Sequence, residues 1–143
     1  MNVAAVLKAK GRAVATARPD TTLQEIATQL AAKKIGAIVV VDDDECVVGI
    51  VSERDLIRAV ALSGEGVLRA PAANVMTRAV VSCTEGQTID DLMAVMTRGR
   101  FRHVPVIEGG KLTGIVSIGD VVKHHIAEVE MEVSAMRGYL ATG

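Results

Sequence analysis

Aromatic side chains are nearly absent: Phe101 and Tyr139 are the only two in 143 residues, and there is no tryptophan. A platform that stacks unpaired bases needs several such rings, so that mode of nucleic-acid binding is excluded. An excess of one charge is missing as well. Sixteen Lys and Arg residues against seventeen Asp and Glu leave a formal net charge of −1, without the basic footprint that non-specific nucleic-acid binding requires. The longest apolar run, Ile35 to Val41, falls far short of the ~20 residues that span a bilayer. The opening MNVAAVLKAKGRA has no apolar segment of the secretory type. Cysteine is scarce too: Cys46 and Cys83 stand far apart with no C-x-x-C spacing, which indicates neither a disulfide framework nor a zinc site. Reduced, partly buried thiols in a cytoplasmic protein are the expectation. Half of the residues are hydrophobic and 23% are charged, a balance that folds without staples. The length suits one domain, or two small halves sharing a core.

The sequence repeats itself. Gly49-Ile50-Val51-Ser52-Glu53-Arg54-Asp55 returns 65 positions later as Gly114-Ile115-Val116-Ser117-Ile118-Gly119-Asp120. Upstream, Arg12-Ala13-Val14 returns as Arg78-Ala79-Val80 at an offset of 66. The one-residue difference falls between the acidic Asp42–Glu45 stretch and Gly109-Gly110, where hairpin turns vary in length. Two copies of one supersecondary unit are indicated, not a solenoid array.

Each copy carries the same periodicity. Leu23, Ile26, Ala27, Leu30 and Ala31 line one face of a helix, and Ile89, Leu92, Met93, Met96 and Thr97 are their equivalents. Asp20 or Thr21 is expected to cap the first helix, and Gln87-Thr88 precede the second. Short strands are expected at 14–17 and 80–83. Longer ones are expected at 37–41 and 47–51, and again at 104–107 and 112–116. A further helix opens at each Ser-x-x-Asp string. Each half therefore reads β-α-β-β-α, with repeats at 3–62 and 74–125, a linker at 63–73, and a C-terminal amphipathic helix and tail at 126–143.

This pattern, in duplicate, resembles the cystathionine-β-synthase (CBS) domain family, whose members pair in tandem as a Bateman module. The residues that carry it are the two G-I-V-S-x-x-D strings, Val75-Met76-Thr77 opening the second copy, and Arg102-His103-Val104-Pro105-Val106. The resemblance implies a mixed α/β (α+β) fold: two repeats in a pseudo-two-fold arrangement plus the C-terminal helix.

The Ser-x-x-Asp string has two compatible readings. Serine can cap the helix, with Asp in the first turn facing the positive end of the dipole. The same helix start can also receive a phosphate, while the Asp carboxylate accepts hydrogen bonds from a vicinal diol such as a ribose. Duplication shifts the weight toward a ligand. The resemblance implies sites built across both halves. Site one would join Ser52 and Asp55 to Val80, Ser82, Arg102, His103 and Pro105. Site two would join Ser117 and Asp120 to Val14, Thr16, Gly36, Ala37 and Ile38. The implied ligand is an adenine nucleotide: AMP, ADP, ATP or NAD(H).

Charge separates the two sites. Site one offers Arg54 and Arg58 with Arg102 and His103, whereas Gly119 stands where Arg54 does and Gly36 and Ala37 replace Arg102 and His103. Site one is therefore expected to grip phosphate, and site two to depend more on the adenosine moiety.

Other candidates are weaker. Asp42–Glu45 lacks the spacing of a calcium loop and reads as a solvated turn. His124 and His125 are adjacent, where chelation on a helix wants i and i+4. There is no G-x-S-x-G elbow, no P-loop and no H-E-x-x-H. The expected protein is a stand-alone adenine-nucleotide sensor with no catalysis, no catalytic cofactor and no metal, acting on a regulated protein that the sequence does not name. The alternative is a structural pairing module with vestigial sites. In the tail, Val122, Ile126, Val129, Val133, Met136 and Leu140 recur in steps of four and three, a helix-pairing seam. The stripe can serve a homodimer, which the resemblance favours, or fold back on its own repeat.

Overall fold

The computed structural model describes residues 1–142. Helix α1 (Val3–Lys10) is followed by β1 (Thr16–Ala17), α2 (Leu23–Lys33), β2 (Ala37–Val41), β3 (Val47–Ser52) and α3 (Glu53–Ser63). Two 3-10 turns, Glu65–Arg69 and Ala72–Asn74, form the link to α4 (Ile89–Gly99), β4 (His103–Glu108), β5 (Lys111–Ser117) and α5 (Ile118–Thr142). The mixed α/β class and the C-terminal helix expected from the sequence are both present.

The expected strands lie in two small sheets. In the first, β1 runs parallel to β2, and β2 runs antiparallel to β3. The second holds only the β4–β5 hairpin. The strand expected at 80–83 contracts to one parallel bridge between Cys83 and Val106. Proline is the cause. In the first half the Val39 N–H reaches Ala15 O at 3.3 Å, but Val39's equivalent is Pro105, which has no N–H to give. The hairpins differ as the offset requires. Asp42 Oδ1 accepts from the N–H groups of Asp44 and Cys46 in the longer turn, whereas Gly109 and Gly110 supply positive φ in the tighter one.

Helix caps are local and regular. Thr22, not Asp20 or Thr21, caps α2 by accepting from the Glu25 N–H, and Thr88 with Asp91 forms a full capping box on α4.

Two cores form, and each borrows from the other half. Residues Leu23, Ile26, Ile38, Val40 and Val51 of the first repeat enclose Ala72 and Met76 from the segment that leads into the second. Residues Ile89, Leu92, Val104, Val106 and Val116 of the second repeat enclose Val3, Val6 and Leu7 of α1. Helix α1, counted with residues 3–62 in the sequence, thus lies in the second repeat's core. Glycine makes both exchanges possible. A Cβ at Gly49 would lie 2.5 Å from Met76 Sδ, and one at Gly114 would lie 2.6 Å from Leu7 Cδ2.

Candidate functional site

Each Ser-x-x-Asp string sits where a strand hands over to a helix. At the first junction Ser52 is the N-cap of α3. Asp55 Oδ2 accepts from the Ser52 N–H at 2.8 Å and from Ser52 Oγ at 3.0 Å, while the Asp55 N–H donates to Ser52 Oγ at 3.2 Å. At the second junction the same three bonds join Ser117 and Asp120 at 2.9, 3.0 and 3.2 Å. The capping reading therefore holds at both, and it changes what the helix start can offer a ligand. The Glu53 N–H is already spent on Gly36 O at 2.9 Å, and the Ile118 N–H on Arg102 O at 2.8 Å. With the Asp N–H also taken by serine, Arg54 and Gly119 carry the unspent N–H groups in the first three helical positions. Recognition of an anion must then fall mainly on side chains.

At the first junction those side chains converge. Ser52, Arg54 and Asp55 face Val80, Arg102 and His103 across a cleft of about 320 Å³. The cleft also holds Arg58, expected there from the sequence, and gathers a further cation that the sequence reading left out of the site, Arg100, together with Thr77 and Phe101. Of the site-one residues named from the sequence, Ser82 and Pro105 do not line the cleft. Ser82 is exposed, and Pro105 is buried within β4.

Gly36, assigned from the sequence to site two, lines this first cleft instead. Its missing side chain admits His103: a Cβ there would sit 2.9 Å from His103 Nε2. Burial lowers the His103 pKa, Lys10 and Arg102 lower it further, and Glu53 and Asp120 oppose them. The imidazole is thus held toward its neutral form while feeling charges from both junctions.

The remaining site-two residues are less gathered. Val14 is half-buried, Thr16 is exposed on β1, Ala37 is buried, and the Ile38 side chain is 0% exposed in the first core. What the structure brings to Asp120 is a residue the sequence reading missed. Lys10 Nζ, at the end of α1, lies 2.6 Å from Asp120 Oδ2 and 2.9 Å from Ile115 O. Burial raises the Asp120 pKa, but the bonds from Lys10 and Ser117 outweigh it and the net shift is downward. No local signal marks Lys10, because the contact spans 110 residues.

Among the described residues no group of three or more His, Cys, Asp and Glu side chains is placed to hold a metal ion. Burial, with Glu108 adding to it, pushes the Cys83 thiol up to about 11, so it is not a thiolate nucleophile at neutral pH. No helix among the described residues is long and apolar enough to cross a membrane.

Comparison with known proteins agrees with this architecture. The CBS domain pattern matches residues 11–62 and again 72–126. The structure is similar to that of a CBS-domain containing protein from Agrobacterium tumefaciens, at a TM-score of 0.83 and 52% identity, covering 85% of this chain and 91% of that one. It is also similar to a CBS domain protein from Pyrobaculum aerophilum solved in complex with AMP, at a TM-score of 0.75 and 29% identity, covering 84% and 89% of the two chains. An uncharacterized 17.7 kDa protein from Acidianus ambivalens is 36% identical over 107 residues, and the match covers 74% of this chain but only 63% of that protein. With two matches that together take in most of its length, the chain belongs to the CBS-domain family and carries the domain twice.

Proposed function

We propose that the chain is a regulatory module that binds an adenine nucleotide and signals by binding, without chemistry of its own. One observation carries this reading: at the first junction the Asp55 carboxylate and four arginines, Arg54, Arg58, Arg100 and Arg102, line one cleft. Asp55 Oδ2 is committed to Ser52, which leaves Oδ1 to accept from a ribose diol, while the arginines suit phosphate oxygens. The apolar patch of Ile50, Ala79, Val80 and Val81 fits a purine face without aromatic stacking. The cleft volume lies at the small end of the range for ligand pockets, roughly 300–1,000 Å³. The AMP complex of the Pyrobaculum relative supports the same ligand class.

Thermal unfolding with AMP, ADP, ATP and NAD(H) tests the reading. A ligand at a hundred times its Kd adds about 2.7 kcal/mol of stability, so at least one should raise Tm by several degrees. No shift with any of them would leave the chain as a pairing module with vestigial sites.

Assembly belongs to the same proposal. Val122, Ile126, Val129, Val133, Met136 and Leu140 are exposed along α5, and every described residue from Met131 onward is exposed. The stripe therefore does not fold back on its own repeat. A second copy of the chain, bringing the same stripe, would cover it. Light scattering at micromolar concentration should then give a dimer, and a monomer would overturn the assignment. The regulated protein would read the ligand through this assembly.

A further inference from the structure

The two junctions share a sequence string and a capping box, yet one backbone carbonyl is satisfied differently in each. Ile50 O in β3 accepts from the Thr77 N–H at 2.9 Å, in a two-bond bridge completed by the Ile50 N–H and Thr77 O at 3.0 Å. Its equivalent, Ile115 O in β5, accepts from the Lys10 ammonium at 2.9 Å. The cause lies in how each leading segment enters the opposite core. Met76 rests on Gly49, and the next residue, Thr77, makes a single antiparallel bridge with Ile50 of β3. Leu7 rests on Gly114 in the same way, but it belongs to a helix. Residues three apart on a helix share a face, so the next side chain over β5 after Leu7 is Lys10. Its ammonium reaches past Ile115 O to Asp120 Oδ2 at 2.6 Å.

Resting on the reading of these junctions as nucleotide sites, we infer that Lys10 makes the second site selective for a ligand that carries an anion next to its ribose. A diol that takes the Asp120 carboxylate weakens the hold of that carboxylate on the ammonium. A ligand phosphate restores an anionic partner, whereas an uncharged nucleoside leaves the ammonium without one. The four-carbon stem and three donors of lysine allow the transfer, and with Lys10 31% and Asp120 22% exposed the pair is not locked in the core. Lys10 thus supplies the cation that Gly119 cannot, which runs against the sequence expectation that site two depends more on the adenosine moiety and less on phosphate.

Calorimetry with AMP and with adenosine tests this on the wild type, Lys10→Met and Lys10→Arg, with the phase lost in Asp120→Asn assigned to the second site. Met keeps most of the apolar stem, and thermal unfolding without ligand checks that each variant folds. The wild-type second site should prefer AMP over adenosine. Lys10→Met should reduce that preference by about tenfold or more, since a bond to a charged group contributes ~1.5–3 kcal/mol, through weaker AMP binding with adenosine undiminished. Lys10→Arg should keep it. Equal weakening of AMP and adenosine in Lys10→Met would reduce Lys10 to a strut for α1 and overturn the inference. An unchanged preference would overturn it too, leaving the nucleotide reading intact. A wild type that binds neither compound at either site would overturn both.

Discussion

The first and second junctions share the G-I-V-S-x-x-D string and the same cap, yet they differ in electrostatic character. The first opens onto a cleft with four arginines and, among the described residues, no ion pair on Asp55. The second holds its carboxylate against a lysine from the other end of the chain. Duplication fixed the backbone and its caps. The segments that lead into each repeat, an α-helix in one case and a 3-10 turn ending in a single bridge in the other, set what faces the carboxylate. A short motif therefore locates a site without defining its charge.

The largest way to break this comparison is to remove what seats α1. Leu7 is 0% exposed in the second core, and Leu7→Ala leaves a cavity there, at a cost of ~2–5 kcal/mol. Denaturant unfolding should show that loss. Met76→Ala, at the equivalent seat in the first core and 7% exposed, should cost toward the lower end of the same range. A larger loss from Met76 would mean that the linking segment, not the helix, holds the two halves together.

A smaller effect separates the carboxylates. Asp55→Ala should weaken AMP binding at the first site by about tenfold or more, the scale of one or two lost hydrogen bonds to a charged group. That phase should also weaken as salt rises, because arginines provide its remaining attraction. Asp120→Ala should leave it in place. Calorimetry in which Asp120→Ala abolishes the tighter phase and Asp55→Ala spares it would reverse the assignment.

Much of the fold was legible because its signals are local. The helical stripes, the β-branched runs and the duplicated string predicted most elements of both halves, and Thr88 was marked as a helix start, but helix α1 (Val3–Lys10) was not expected. Thr22 displaced Asp20 and Thr21 as a cap because its oxygen, not theirs, reaches the Glu25 N–H. The strand at 80–83 failed for want of one N–H at Pro105. The candidate sites were legible only in part. Ser52, Arg54, Asp55, Val80, Arg102 and His103 meet in one cleft, but Gly36 joined them from the other list, and Ile38 turned into the core. Lys10 escaped notice because nothing within its own stretch of sequence says that Leu7 will seat on Gly114.

The smallest expected effect sharpens the comparison through pH. His103 has no counterpart in the first repeat, where Ala37 takes its place. Burial is the main reason its pKa is lowered, so the unfolded chain binds the proton more readily than the folded one. By linkage, stability is full above the unfolded value, about 6.5, and declines as pH falls from there toward the folded value. Asp120 works in a separate window. Its folded pKa lies below the usual carboxylate range despite burial, because Lys10 and Ser117 bond to the charged form. Its contribution is present above the unfolded value of about 3.8 and is lost as pH falls through the folded one. Unfolding measured against pH should therefore show two descents, one below about 6.5 and one below about 4. His103→Gln should flatten the upper descent and leave the lower, while Lys10→Met should soften the lower and leave most of the upper. If His103→Gln leaves the upper descent unchanged, the imidazole is not held neutral between the two junctions.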